Sequence, residues 1–171
     1  KMLKEIRDKM MKSLKYLVSL VNDVLDMNKI QSGDFKSKEI IFDGADMMRK
    51  ILRIYDQKAV EKGIRLEVDW EKCSVRYPIL LGNPVYFGRI LASIMDNAIK
   101  FSENDSSITV EVTTKNDKIF VSVKDHGIGI SRKEINKIWE RFYKSDLSRG
   151  KDKKGTGLGL SIVKEIIQAH D

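Results

Sequence analysis

Four short segments fall in one order along this chain: Asp96-Asn97-Ala98-Ile99-Lys100-Phe101, Asp125-His126-Gly127-Ile128-Gly129-Ile130, Trp139-Glu140-Arg141-Phe142 and Gly155-Thr156-Gly157-Leu158-Gly159-Leu160. They supply an amide and an ammonium three residues apart on a helix, a carboxylate ahead of a flexible turn, and a glycine-rich loop that opens a helix. Together these are the parts needed to hold a base, a metal and a triphosphate at once, and they point to Mg-ATP.

Each segment is weak alone. Asn97 and Lys100 could be an exposed pair on an amphipathic helix, and Asp125 could be an ordinary strand exit. Their joint occurrence in order carries the reading. The amide oxygen of Asn97 suits Mg²⁺, a hard cation that keeps most of its waters and takes few protein ligands. Asp125 can accept from an exocyclic amine, and the glycines after it let backbone approach a flat base. The backbone amides of residues 155–159 and the helix start behind them form an anion site. That loop is not a P-loop, since no Gly-Lys-Ser/Thr ends it. His126, with no partner motif, reads as a loop residue rather than a general base.

The rest of the chain organises these segments. Leu3, Ile6, Met10, Leu14, Leu17, Val21 and Val24 alternate spacings of three and four, so residues 2–30 read as one long helix with a bundle seam. Met11, Val18, Leu20 and Leu25 widen its stripe. Ser32-Gly33-Asp34 begins a connection. Asp43 caps a second helix that runs through Met47, Ile51 and Ile54 to Lys62, with Gly63 as its stop. Strands are expected at 64–70 and near 75–80. Asn83-Pro84 then starts a helix over 85–101. Residues 108–115 and 118–124 alternate around Asn116-Asp117 as a hairpin. Ser131 with Glu134 predicts a short helix ending near Tyr143, and a last helix spans about 157–169. The predicted class is an α/β (α+β) two-layer sandwich preceded by a long bundle-type helix.

Composition narrows the partners. The 171 residues carry 32 basic and 25 acidic side chains, a net charge of +7. Much of the excess lies in the first helix (Lys1, Lys4, Arg7, Lys9, Lys12, Lys15) and in residues 144–154. The first reads as a solvated helix face, and the second flanks the glycine loop, where positive charge serves phosphate. Neither carries the interleaved aromatics of a single-strand binder, so nucleic acid is not an expected partner. The single cysteine, Cys73, excludes an internal disulfide framework and suits a reducing compartment. No apolar run approaches the roughly 18 residues of a membrane span. The expectation is a cytoplasmic piece, whose parent protein could be membrane-anchored.

The four segments resemble the N box, first glycine box, F box and second glycine box of sensor histidine kinases of two-component systems, in the GHKL ATPase superfamily. Val21-Asn22-Asp23-Val24-Leu25-Asp26-Met27-Asn28-Lys29-Ile30 is similar to the end of the second helix of their dimerisation domain. The resemblance implies residues 1–32 as that bundle helix and 33–171 as the catalytic ATP-binding domain, with a Bergerat-type fold. It implies that Asn97 coordinates Mg²⁺, Lys100 contacts the phosphates and Phe101 lines the nucleotide pocket. Asp125 would bind the adenine amino group, with Gly127, Gly129 and Ile130 shaping the pocket. Residues 131–156 would form a lid anchored by Phe142, with Arg141 or Lys144 near phosphate. Gly155, Thr156, Gly157, Leu158 and Gly159 would hinge the lid and receive phosphate. The implied partners are a histidine-bearing bundle helix of the parent kinase, a response-regulator receiver domain, and a second copy joined through residues 1–30.

Three departures bear on activity. Ser93 stands one turn before Asn97, where the family often has another asparagine. His126 and His170, the only histidines, lie outside any His-Glu-x-x-x-Pro setting. The chain stops at Asp171, where the family usually continues into closing strands. The expected function is therefore transfer of the γ-phosphoryl of Mg-ATP to a histidine outside this chain. The alternatives are a non-catalytic ATP-binding or dimerisation module, or another GHKL ATPase or serine kinase.

Overall fold

The computed structural model describes residues 2–33, 39–70, 78–116, 118–145 and 155–170. The chain divides into two compact units, Lys36–Arg132 and Lys1–Phe35 with Lys133–Asp171.

The first unit is a mixed sheet carrying two helices. Strand β2 (Arg65–Asp69) runs parallel to β4 (Ser107–Lys115), which pairs antiparallel with β5 (Lys118–Lys124). On β4 the period of two is clean: Ile108, Val110 and Val112 are all fully buried, and the residues between them are not. Against that face lie α2 (Gly44–Val60) and α3 (Pro84–Phe101). Met48, Leu52, Tyr55 and Ala59 of α2 and Leu91, Met95 and Ala98 of α3 complete the core, at the helical spacings of three and four.

Both helix starts follow from local chemistry. The Asp43 carboxylate accepts from the Asp46 N–H at 2.9 Å, and the Asn83 side chain accepts from the Val85 N–H at 3.1 Å, with Pro84 in the first turn. Gly63, at φ +70°, ends α2: its N–H donates to Val60 O and the Ile64 N–H reaches back to Ala59 O, each at 2.9 Å. Asn116 turns the β4–β5 hairpin at φ +51°. Asp117, its expected companion, lies outside the described residues.

A two-stranded ribbon was not legible in advance. Strand β1 (Ile40–Asp43) pairs antiparallel with β3 (Ile79–Gly82), Ile41 opposite Leu81. Residues 32–43 were expected to be only a connection, because four residues without turn signals carry no pattern of their own. Strand β3 overlaps the end of the strand expected at 75–80; residues 71–77 lie outside the described residues.

In the second unit, α1 (Met2–Gln31) is one unbroken helix, as its heptads predict. Its seam side chains from Leu3 to Val24 are exposed, whereas Asp23, Met27 and Ile30 are buried near its end, where it packs on α4 (Gly159–His170). Helix α4 buries Ser161, Ile162, Val163 and Ile166. The short α-helix expected over 131–143 does not form. That segment makes turns and a three-residue 3₁₀ helix, Lys137–Trp139, none of whose residues is buried. Ile135, Ile138, Trp139 and Phe142 have helical spacing but none of them is buried, and a capping signal without burial does not sustain an α-helix. Among the described residues no helix is long and apolar enough to cross a membrane.

Candidate functional site

Lys100, Phe101, Asp125 and Gly127 meet where α3 ends beside the turn after β5. Asn97 lies half-buried on α3, one turn before Phe101, and the Lys100 ammonium stands 5.1 Å from the centre of the Phe101 ring. Beyond Phe101 the chain turns at Ser102, which forms an isolated antiparallel bridge with Gly127. The N box and the first glycine box, distant in sequence, are thus joined by backbone.

That junction explains the glycine. A Cβ built on Gly127 would sit 2.6 Å from the Phe101 carbonyl oxygen and 2.8 Å from Asp125 Oδ1, so only glycine fits. The Gly127 N–H donates to Asp125 Oδ1 at 3.0 Å, which fixes the carboxylate in an Asx turn and leaves Oδ2 to accept from another donor. Gly129 serves differently. Its φ of +68° calls for glycine, and a Cβ there would meet nothing within 4 Å. The backbone at Gly129 therefore faces open space that a flat ring can approach. Ile130 beside it is exposed.

His126 has a structural job. Its Nδ1 lies 2.9 Å from the Ser107 carbonyl oxygen, and since a carbonyl only accepts, Nδ1 carries the proton. The Glu103 N–H donates to His126 O at 3.4 Å from the other side of the junction.

At Asp96, the residue before Asn97, α3 joins a polar cluster that has no signature in the sequence. Asp96 pairs with Lys58 at 3.2 Å, and the buried Tyr55 hydroxyl bonds to Asp96, with the Lys58 ammonium 4.2 Å from the Tyr55 ring centre. Burial first, then the Asp96 charge and its hydrogen bond, push the Tyr55 phenol well above its ordinary range, while Arg89 opposes them. Its members stand on α2 and α3, far apart in sequence, so no local pattern announces them.

The glycine loop belongs to the second unit. Gly157 adopts φ +73°, and a Cβ there would lie 2.8 Å from the Phe142 carbonyl carbon. Phe142 itself holds φ +61°, costly for a bulky side chain, and its N–H donates to Gly157 O at 3.0 Å. The F box thus packs its backbone on the glycine loop while its ring stays exposed. Arg141, expected near phosphate, is paired with Glu165 of α4 at 3.0 Å. Lys144 and Gly155 are half-buried. The Thr156 hydroxyl donates to Asp23 Oδ2 of α1 at 2.8 Å and accepts from the Leu158 N–H at 3.2 Å. Leu158 is buried, and Gly159 begins α4. Residues 146–154, with most of the basic stretch, lie outside the described residues.

The donor set suits a nucleotide that brings its own metal. Among the described residues no group of three His, Cys, Asp or Glu could hold an ion. Asn97 offers one amide oxygen, which fits Mg²⁺ held chiefly by phosphate oxygens and water.

Comparison with known proteins agrees with the motifs. Residues 82–171, just over half of the chain, match the family described as histidine kinase-, DNA gyrase B-, and HSP90-like ATPase. The chain belongs to this family, as a catalytic domain of the sensor histidine kinase type. It is 30% identical over 166 residues to the sensor histidine kinase WalK of Bacillus subtilis (strain 168), covering 90% of this chain and 25% of that protein. It is 27% identical over 170 residues to the sensor histidine kinase CusS of Escherichia coli (strain K12), covering 98% and 34%. The chain therefore spans only about a quarter to a third of these two relatives. Full-length ShkA in complex with AMPPNP superposes at a TM-score of 0.78 with 25% identity, over 97% of this chain and 34% of that one. The catalytic domain of the histidine kinase ThkA shares the fold, at a TM-score of 0.65 and 22% identity over 76% of this chain and 80% of that one.

Proposed function

We propose that this chain binds Mg-ATP and, as part of a larger sensor kinase, presents the γ-phosphoryl to a histidine outside the chain, whence it passes to an aspartate of a response regulator. The observation that carries the reading is Asp125: one oxygen of this exposed carboxylate is pinned by the Gly127 N–H, which leaves the other to accept, and a Cβ on Gly129, two residues past Gly127, would meet open space. A carboxylate so fixed accepts from the adenine amino group without reorganising. Residues 1–32 act in this reading as the second helix of a dimerisation bundle, pairing with the histidine-bearing helix and with a second copy.

The roles of the side chains follow their chemistry. Asn97 supplies one oxygen to Mg²⁺, Lys100 moves from the Phe101 ring to the phosphates, and Phe101 and Ile130 cover the base. The amides of residues 155–159 would receive phosphate oxygens at the start of α4, with Arg141 (once it leaves Glu165) or Lys144 supplying charge. Phe142 anchors the lid. Bound Mg²⁺ would neutralise charge on the transferred phosphoryl, so the work of this chain is positioning and electrostatics rather than covalent chemistry. Ser93, in the place where the family often has asparagine, favours a second reading, in which nucleotide binds without turnover.

Calorimetric titration with ATP, with and without Mg²⁺, tests the site. The parent chain should bind saturably, Asn97→Ala should lose the Mg²⁺ dependence, and Asp125→Ala should weaken binding by roughly a hundredfold, the scale of a lost hydrogen bond to a charged group. Unchanged affinity in Asp125→Ala would remove the adenine assignment. Labelling of an added histidine-bearing bundle at saturating Mg-ATP then separates the two readings: transfer supports the kinase, and its absence supports binding alone.

A further inference from the structure

Lys62 has no place in any of the four motifs, yet its side chain ends at the last turn of α3, which carries the first of them. Its ammonium donates to three carbonyl oxygens at the end of α3: Ile99 at 2.6 Å, Ser102 at 2.8 Å and Lys100 at 3.1 Å. An ammonium has three protons to give, and the last turn of a helix leaves carbonyls without intrahelical partners. The Ala98 carbonyl is taken by the Ser102 N–H at 3.0 Å, so Lys62 completes the cap for the two residues that follow. Its positive charge also suits the negative end of the helix dipole.

The ammonium is held in place from behind. Lys62 lies in the closing turn of α2, where its own N–H donates to Ala59 O at 2.9 Å and Gly63 turns the chain at φ +70°. On its far side, Ser102 pairs with Gly127, whose N–H holds Asp125. One cation therefore faces the carbonyls of Ile99, Lys100 and Ser102. Those residues flank the Lys100 and Phe101 side chains and the strand bridge that sets the Asp125 turn.

We infer that Lys62 is a positioning residue of the nucleotide site: its ammonium clamps the last turn of α3 against the 125–129 turn and so sets the distance between Lys100 and Asp125. The inference rests on the ATP reading above. It is distinct from a general contribution to stability, because the clamp acts at the junction of two nucleotide motifs rather than in the apolar core. The predicted consequence is a loss of ATP affinity larger than any loss of stability would explain, since a folded but unclamped α3 end still fills its place in the core.

The test uses the full chain and four proteins: the parent, Lys62→Met, Lys62→Arg and Lys50→Met. Lys50, in an exposed pair with Asp46 at 2.7 Å on α2, controls for loss of a surface charge. Lys62→Met should bind ATP roughly tenfold more weakly, the scale of a charge-assisted hydrogen bond. It should also shift the amide resonances of Gly127 and Glu103. Lys62→Arg should recover much of the affinity and return those resonances toward the parent, while Lys50→Met should match the parent. Parent-like affinity and an unmoved Gly127 amide in Lys62→Met would overturn the clamp. If Lys62→Met does not fold, the parent decides. The Lys62 ammonium should be visible by nitrogen-detected NMR as a slowly exchanging group, and its resonance should move when Mg-AMPPNP is added. An ammonium that exchanges as fast as those of surface lysines would overturn the proposal. Failure of the parent to bind ATP at all would instead refute the ATP reading, and the Gly127 amide would still report on the clamp.

Discussion

The two glycine-rich turns use the same residue for different physical reasons. In the 125–129 turn the demands are divided: Gly127 is required by space, against the Phe101 carbonyl, and Gly129 by its positive φ. In the 155–159 loop both demands fall on Gly157, which has a positive φ and no room for a Cβ beside the Phe142 backbone. The surroundings differ too. The first turn is held on a sheet core by the Ser102 bridge, an Asx turn and the His126 ring, whereas the second is held by one backbone bond from a strained Phe142 and by the Thr156 tie to Asp23. A turn seated on a sheet core holds a group where it must not move; a loop held by a strained residue and a side-chain bond can exchange those ties for a ligand's. A base-reading carboxylate suits the first, and a lid hinge the second.

Substitutions can break this comparison. Gly157→Ala should cost roughly 3 kcal/mol, the sum of a left-handed backbone penalty and an overpacking penalty, read as a lowered urea midpoint. Gly129→Ala meets only the first of these and should cost about 1 kcal/mol. Equal losses at the two positions would mean that the Phe142 contact yields easily and that the contrast between the turns is overdrawn.

A smaller effect is expected at the side-chain tie. Thr156→Val removes the hydroxyl that donates to Asp23 and accepts from Leu158, and should cost about 1 kcal/mol while speeding amide hydrogen exchange at the start of α4. Unchanged exchange there would show that the tie does not hold the loop.

The smallest effect at neutral pH concerns the sheet unit. Tyr55 is held neutral in the folded state above its ordinary value near 10. A raised folded pKa contributes stability that is fully present below the unfolded value and is lost as pH rises past it, because the unfolded chain then binds fewer protons. Stability should thus be flat across neutral pH and fall only in strong alkali. One of the five tyrosines should ionise last, together with unfolding, in the phenolate absorbance. Five tyrosines titrating together in the folded chain would place Tyr55 outside the Asp96 cluster.

Much of the molecule was legible in its residues because the relevant forces are local. Asp43, Asn83-Pro84, Gly63 and Asn116 act within a few residues of themselves, so the ends of α2, the start of α3 and the β4–β5 hairpin could be read directly. Heptad spacing did the same for α1, and alternation for β4. The four motifs named the family because each packs its chemistry into a few consecutive positions.

Tertiary structure decided what depends on a distant partner. Strand β1 exists only through β3, since four residues without turn signals have no hydrogen bonds of their own to make. The 131–143 segment carried a helix-start signal but buried no side chain in its 3₁₀ turn, and burial is what sustains a short helix. Lys62 looked like the last residue of an ordinary surface helix, and Asp23 like a polar position in a bundle stripe. Their partners, the carbonyls of α3 and the Thr156 hydroxyl, are brought within hydrogen-bonding distance only by the packing of apolar faces. Sequence spacing therefore determined which groups are available, and the packed core determined which of them meet.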